Sequence, residues 1–109
     1  MLKPLLDNTI KEQLLLALLT GKELYARDFT AKFKVHLLSV QNQLKKLERG
    51  GVVVSRLEGR TRLYSFNPRY PFLNELKNLL SKALTFMSPQ EKEAYYTPRL
   101  RPRRAGKRL

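Results

Sequence analysis

Apolar residues recur at helical spacing over the first part of the chain. Asp7 or Asn8 can cap the free N–H groups at the start of a helix. Apolar side chains then follow at intervals of three and four residues up to Gly21, which ends the helix. The next residues, 23–25, are expected to form one short extended segment.

Two further helices are predicted over 26–33 and 37–49, where the helical spacing resumes. The shorter one carries Phe29 and Phe33 four residues apart. The longer one has an apolar stripe with spacings of three and four residues, and the glycine pair 50–51 stops it. That stripe consists of Leu37, Val40, Leu44 and Leu47.

The apolar period shortens to that of a β-strand after residue 51. The valines at 52–54 begin a first strand, residues 63–66 form a second, and Gly59 lies in the turn between them. Asn67 and Pro68 end the second strand. The pattern therefore predicts a β-hairpin over 52–67.

A last helix is predicted from Pro71 to about Met87, because proline suits the first position of a helix. Its apolar residues form two adjacent seams, a stripe wider than one packing neighbour needs. Since surplus apolar surface usually marks an interface, we expect a second copy of the chain to dock there. The predicted dimer interface consists of Phe72, Leu73, Leu76, Leu79, Leu80, Ala83, Phe86 and Met87.

The order of these elements predicts the fold. Two helices joined by a tight turn form a helix-turn-helix, whose second helix enters a DNA major groove, and the hairpin after it forms a wing. We therefore expect a mainly α-helical winged helix-turn-helix domain over 1–87 that dimerises through its terminal helices. Lys34 lies in the tight turn, where glycine with positive φ is common; a side chain there costs on the order of 1 kcal/mol, or the turn differs in shape.

The composition adds a strong positive charge. The 109 residues include 22 Lys and Arg against 9 Asp and Glu, a formal net charge of +13, which is typical of a protein that binds a polyanion. Residues 88–109 are expected to form a flexible basic arm, which either follows a DNA groove or serves as a solubilising tail or a non-specific attractor of nucleic acid. Tyr95 and Tyr96 either stack or anchor this arm. Its basic residues are Arg99, Arg101, Arg103, Arg104, Lys107 and Arg108.

The predicted helix over 37–49 presents polar side chains away from its apolar stripe. Amides pair with adenine edges, leucine contacts a thymine methyl, and Lys or Arg toward the C-terminal half suits phosphates. Gln43 is expected on the flank, beside the residues that face DNA. The predicted DNA contacts are Leu38, Ser39, Gln41, Asn42, Lys45, Lys46 and Arg49.

The hairpin carries Arg56, Arg60 and Arg62 around its turn glycine. Arginine suits both phosphates and narrow minor grooves, so these three are predicted to contact DNA beside the major-groove site. Glu58 lies among them and is expected to pair with Arg56 or Arg60.

The segment that reads SVQNQLKKLERGGVV (39–53) and the segment GRTRLYSFNP (59–68) resemble the ArsR-type transcriptional regulators of prokaryotes. The resemblance covers roughly residues 8–87. It implies a dimeric, sequence-specific DNA-binding repressor with recognition-helix contacts at Ser39, Gln41, Asn42 and Lys45 and wing contacts at Arg60 and Arg62. Metal-sensing members use clustered Cys or His ligands, which this chain lacks, so the resemblance implies no metal inducer here.

Several kinds of chemistry are disfavoured by the residue types. The chain has no Cys and one histidine, His36, and it has no phosphate-cradling glycine-rich loop. We therefore expect no enzyme activity, no metal and no cofactor. His36 has three interpretations: a phosphate contact, a pH-sensitive group, or a solvent-facing residue at the start of its helix. No stretch of about 20 apolar residues is present, so no membrane partner is expected and a cytoplasmic, nucleoid-associated location is predicted.

The sequence therefore predicts a homodimeric repressor that binds double-stranded DNA, reading the major groove with 37–49 and flanking DNA with 52–67. The alternative is an RNA- or ribosome-associated basic protein that uses a winged-helix body and the arginine-rich tail.

Overall fold

A computed structural model of the chain describes residues 1–96. The six arm residues predicted to contact DNA lie outside this range. The helices are α1 (Lys3–Leu6), α2 (Thr9–Gly21), α3 (Ala26–Phe33), α4 (Leu37–Arg49), α5 (Leu73–Thr85) and α6 (Pro89–Tyr95). The strands are β1 (Glu23–Tyr25), β2 (Val53–Glu58) and β3 (Thr61–Phe66). None of the helices within 1–96 is long and apolar enough to cross a membrane.

The start of α2 is fixed by a side-chain cap. Of the two candidate residues, Asn8 is the cap: its Oδ1 accepts a hydrogen bond of 2.9 Å from the Lys11 N–H. The short helix α1 before it was not predicted. The backbone N–H of Leu2 donates to the Glu12 carboxylate at 3.0 Å, which ties this first turn to α2.

The two helices of the helix-turn-helix have the predicted bounds, 26–33 and 37–49. Lys34 ends α3 in the left-handed conformation, with φ of 57° and ψ of 51°, and its N–H donates to the Thr30 carbonyl at 2.8 Å. The expected positive φ is therefore confirmed, and the chain adopts it with a lysine in place of glycine. The turn sets the direction in which α4 leaves α3.

The strands form one antiparallel sheet in the order β1-β3-β2. Glu58 lies opposite Thr61, so Gly59 and Arg60 alone make the connection between β2 and β3. Gly59 has φ of 66°, as a type II′ hairpin turn requires at its first central position. The predicted hairpin is confirmed, and the extended segment at 23–25 adds a third strand to the sheet.

The hydrophobic core lies where α2, α4 and α5 meet one face of the sheet. The predicted stripe of α4 supplies Val40, Leu44 and Leu47, all buried. Their partners include Leu14, Leu15, Leu16 and Leu18 of α2, Phe29 of α3, Val53 and Tyr64 of the sheet, and Leu80 of α5.

The predicted interface on α5 needs a correction. Leu80 and Ala83 are buried within the chain itself, so they are not available to a second copy. Leu80 belongs to the core cluster that α2 and α4 also form. One of the two apolar seams therefore packs inward, and the surplus surface is narrower than the sequence indicates.

The folded structure continues past the expected boundary at residue 88. Residues 89–95 form α6, and Tyr96 after it is only 3% exposed. The Phe33 ring lies 4.9 Å from the Tyr95 ring and 5.7 Å from the Tyr96 ring, between centroids. Burial raises the pKa of Tyr96, which keeps its hydroxyl neutral. Of the two roles open for the tyrosine pair, the anchoring one holds, and the folded body runs at least to Tyr96.

Candidate nucleic-acid interface

The recognition helix of the predicted helix-turn-helix, α4, is held by its buried stripe so that the opposite side is open to solvent. A rotation of about 100° per residue places four residues at the centre of that open side. They are all exposed, and Leu38 is 68% exposed although it is apolar. We call this set the α4 outer face: Leu38, Asn42, Lys45 and Arg49.

The remaining predicted contacts lie on the two flanks of α4. Ser39, half-buried, and Lys46, exposed, face the start of α2, because both line a hollow together with Asn8. Gln41 is exposed on the opposite flank, which is the side of Glu48 and the wing. All seven predicted contacts are thus at least partly accessible.

Gln43 is buried, contrary to its expected flanking position. It is 9% exposed, and its Oε1 has no hydrogen-bond partner among residues 1–96. It occupies the place that an apolar residue would take in the stripe, between Val40 and Leu47. No sequence signal marked it, because the apolar spacing of 40, 44 and 47 is complete without it.

The cations of α4 have no partners within the described chain. Lys45, Lys46 and Arg49 are exposed, and none of them makes an ion pair with another of residues 1–96. Their full charge is therefore available to an anionic ligand.

Arg56 of the wing is neutralised. Its Nε lies 2.9 Å from the Glu58 carboxylate and its Nη2 lies 3.2 Å from the Glu23 carboxylate. The hydrogen bond to Glu58, and after it the one to Glu23, raises the pKa of Arg56 above its ordinary value. Of the two partners expected for Glu58, Arg56 is the one it contacts.

Arg62 is held in a chain of hydrogen bonds that ends on α4. Its Nη1 donates to the Ser55 hydroxyl at 3.0 Å, and that hydroxyl donates to the Glu48 carboxylate at 2.8 Å. Arg60, at the hairpin tip, is exposed and has no hydrogen bond or ion pair to any of residues 1–96.

The strand register separates Arg56 from Arg62. Arg56 lies opposite Leu63, and Leu57 lies opposite Arg62. Because successive side chains of a strand point to opposite faces, the two arginines lie on different faces of the sheet. Arg62 is on the face that meets α4, and Arg56 is on the other face, beside Glu23.

His36 is the N-cap residue of α4, exposed, and its side chain makes no capping hydrogen bond. Within residues 1–96 no three His, Asp or Glu side chains are grouped so that they could hold a metal ion.

The α5 face keeps an exposed apolar stripe after the correction above. Phe72, Leu79 and Phe86 are exposed, and Phe86 is 71% exposed. Leu73, Leu76 and Met87 are half-buried beside them. The three exposed residues are seven positions apart, so they follow one line along the helix.

A helix-turn-helix, a hairpin wing and a three-stranded antiparallel sheet together make this a winged-helix domain. The chain is similar to the solved structure of the adhesin competence repressor (AdcR) from Streptococcus pyogenes, with a TM-score of 0.53 and 18% sequence identity. The match covers 84% of this chain and 80% of that one. No protein-family model matches the chain, and no curated protein matches it in sequence.

Proposed function

We propose that the protein is a sequence-specific, double-stranded DNA-binding transcriptional regulator of the ArsR type. The observation that carries the proposal is the α4 outer face, where an apolar, an amide and two cationic side chains stand exposed on a rigid helix. Leu38 suits a thymine methyl and Asn42 an adenine edge, while Lys45 and Arg49 suit phosphates or guanine. The other predicted contacts on α4 flank this set.

The wing extends the surface beside α4. Arg60 at its tip is free of partners among residues 1–96 and reaches flanking DNA. Arg62 lies on the same face of the sheet as α4, where the Ser55–Glu48 chain orients it. Arg56 is paired with Glu23 and Glu58, so in the unaltered protein it offers no free charge to DNA.

The apolar stripe of Phe72, Leu79 and Phe86 supports a homodimer. These large side chains are exposed on a monomer, and burying them against a second copy removes apolar area from water. A two-fold pair places two recognition helices roughly 34 Å apart, one turn of DNA. The name of the structurally similar adhesin competence repressor supports repression as the outcome of binding.

Selection of bound sequences from a random duplex pool tests this function. We expect the protein to enrich a palindrome with half-sites about 10 base pairs apart and to prefer it over random duplex by about 10³ or more. Repeating the selection with Asn42→Ala should remove the preference at one position of each half-site, by about 1–3 kcal/mol.

Asn74→Ala is the matched control, since Asn74 is an exposed asparagine on α5. It should select the same palindrome as the unaltered protein. Enrichment of no sequence, or tighter binding to single-stranded RNA than to any duplex, would overturn the proposal.

A further inference from the structure

A hollow of about 340 Å³ lies between the N-terminal end of α2 and one flank of α4. It borders the α4 outer face, because Asn42, Lys45 and Arg49 also line it, and its opposite wall is formed by Asn8 and Ile10 of α2. On the α4 side, the hollow is also lined by Ser39, Lys46 and the buried Gln43. Four features of this hollow point to the same class of ligand.

The first feature is the start of α2. The side-chain oxygen of the N-cap residue Asn8 accepts a hydrogen bond from the Lys11 N–H, and the Asn8 carbonyl accepts one from the Glu12 N–H. The N–H groups of Thr9 and Ile10 come earlier in the helix and have no acceptor within it. Together with the helix dipole, such free N–H groups favour an anion.

The second feature is the buried amide of Gln43. Its Oε1 lacks a hydrogen-bond partner among residues 1–96, and an unpaired buried amide is costly. Since Oε1 is closed to solvent, the Nε2 donor is the atom of this amide that a ligand oxygen in the hollow would meet, and no hydrogen bond within residues 1–96 occupies it. A ligand that accepts a hydrogen bond would give this donor a partner.

The third feature is the charge. Lys45, Lys46 and Arg49 line the hollow and have no ion pair with any of residues 1–96. None of the described side chains that line it is acidic; Asp7, next to Asn8, and Glu48, next to Arg49, are not in the wall.

The fourth feature is the supply of neutral donors. The hydroxyl of Ser39 and the amide of Asn42 line the hollow beside Gln43, and neither side chain makes a hydrogen bond within residues 1–96. A tetrahedral oxyanion accepts hydrogen bonds in several directions at once, which matches donors converging from two helices.

We infer that this hollow is a binding site for a phosphate-class oxyanion. The phosphate comes either from the backbone of the DNA that α4 contacts or from a free phosphate or phosphorylated small molecule. In its DNA form the inference rests on the proposed function, and in its free-ligand form it does not. Bound there, a phosphate would fix α2 and α4 to one ligand and accept a hydrogen bond from the Gln43 amide.

Nuclear magnetic resonance of the full chain tests the site. Sodium phosphate is titrated against sodium chloride of equal ionic strength, and in a second series a short duplex is added. We expect phosphate to shift the backbone N–H signals of Thr9 and Ile10 and the side-chain amide of Gln43. The duplex should shift the same signals if the DNA backbone is the source.

Asn8→Asp is the decisive variant because it keeps the cap while placing a carboxylate in the wall. Asp caps helices as well as Asn does, so the fold is preserved. We expect phosphate affinity to fall about tenfold or more, since a like charge enters the site. Ser88→Asp makes the same kind of change at the N-cap of α6, where the Ser88 hydroxyl accepts the Glu91 N–H, and should leave the affinity unchanged.

Each outcome decides the question. Shifts with free phosphate that Asn8→Asp abolishes establish the site, even if no duplex sequence is ever selected. Shifts with duplex alone assign it to the DNA backbone. Equal losses of phosphate affinity in Asn8→Asp and Ser88→Asp would mean that phosphate is attracted to the basic protein in general, and that result overturns the site. So would the absence of any shift at Thr9, Ile10 and Gln43 in both series.

Discussion

The recognition helix and the wing carry three basic side chains each, yet they offer very different amounts of positive charge. On α4, Lys45, Lys46 and Arg49 have no carboxylate partner among residues 1–96. On the wing, two carboxylates neutralise Arg56, whereas Arg62 is bonded to the neutral hydroxyl of Ser55 and Arg60 has no partner in that range. The number of basic residues in a segment therefore overstates the charge that it can present to a ligand.

The difference has a structural cause. The carboxylates within 1–96 that reach the wing arginines come from the sheet or from the C-terminal end of α4. They are Glu23 of β1, Glu58 of β2, and Glu48 of α4, which acts through Ser55. On the outer side of α4, no acidic residue of the described chain pairs with the cations. The wing is thus tied to the rest of the sheet by ion pairs that use up part of its charge. The helix α4 is held by its apolar stripe, so its cations stay unpaired.

The largest expected effect comes from removing the free charges. Changing Lys45, Lys46 and Arg49 together to Gln should flatten the dependence of log K on log salt by about 0.9 for each DNA phosphate that is no longer neutralised. Duplex binding measured across a salt series gives this slope. Arg56→Gln removes a charge that is already paired, so we expect its slope to match that of the unaltered protein. An equal change in both variants would erase the distinction between the two regions.

A smaller effect is expected when the wing charge is released. Glu23→Gln with Glu58→Gln leaves Arg56 without a partner, so binding should strengthen and the salt slope should steepen by up to about 0.9. The gain should vanish when Arg56→Gln is added to the same protein. If the gain in affinity survives that third change, the increase in net charge rather than the freed arginine is responsible. The ion pairs then do not explain why the wing contributes little to binding.

The helix-turn-helix and the hairpin could be predicted from sequence because their signals are local. The α4 stripe repeats over its whole length, and the turn glycine at 59 lies between two short segments rich in valine, leucine and aromatic residues. The pairing of Arg56 with Glu23 could not be predicted, because the two residues are 33 positions apart and meet only through the sheet register. The burial of Gln43 also depends on packing that apolar spacing does not encode.

The C-terminal helix α6 was missed although a local signal exists. Its short length leaves no room for an apolar seam, and the basic arm after it drew the boundary toward residue 88. Ser88 followed by Glu91 is, however, the spacing of a capping box, and the Ser88 hydroxyl does accept the Glu91 N–H at 3.1 Å. The packing of Tyr96 against Phe33 then stabilises a helix that propensity alone would not.

The smallest expected effect concerns how α4 is held rather than what it presents. Lys34 has φ of 57°, a conformation that costs a residue with a side chain on the order of 1 kcal/mol and glycine almost nothing. Glycine also gains freedom in the unfolded chain, which offsets part of the benefit. We therefore expect Lys34→Gly to leave the free energy of unfolding unchanged or raise it by up to about 1 kcal/mol, measured by urea denaturation.

Lys34→Ala is the matched control for that measurement, because it removes the same charge and keeps the strain. The glycine variant should be the more stable of the two by about 1 kcal/mol. If alanine proves equal to glycine, the left-handed conformation at residue 34 does not strain a residue with a side chain. Both variants leave the α4 outer face intact, so their DNA binding should show the same dependence on salt. A difference in the free energy of unfolding without a difference in salt slope separates how α4 is held from the charge it presents.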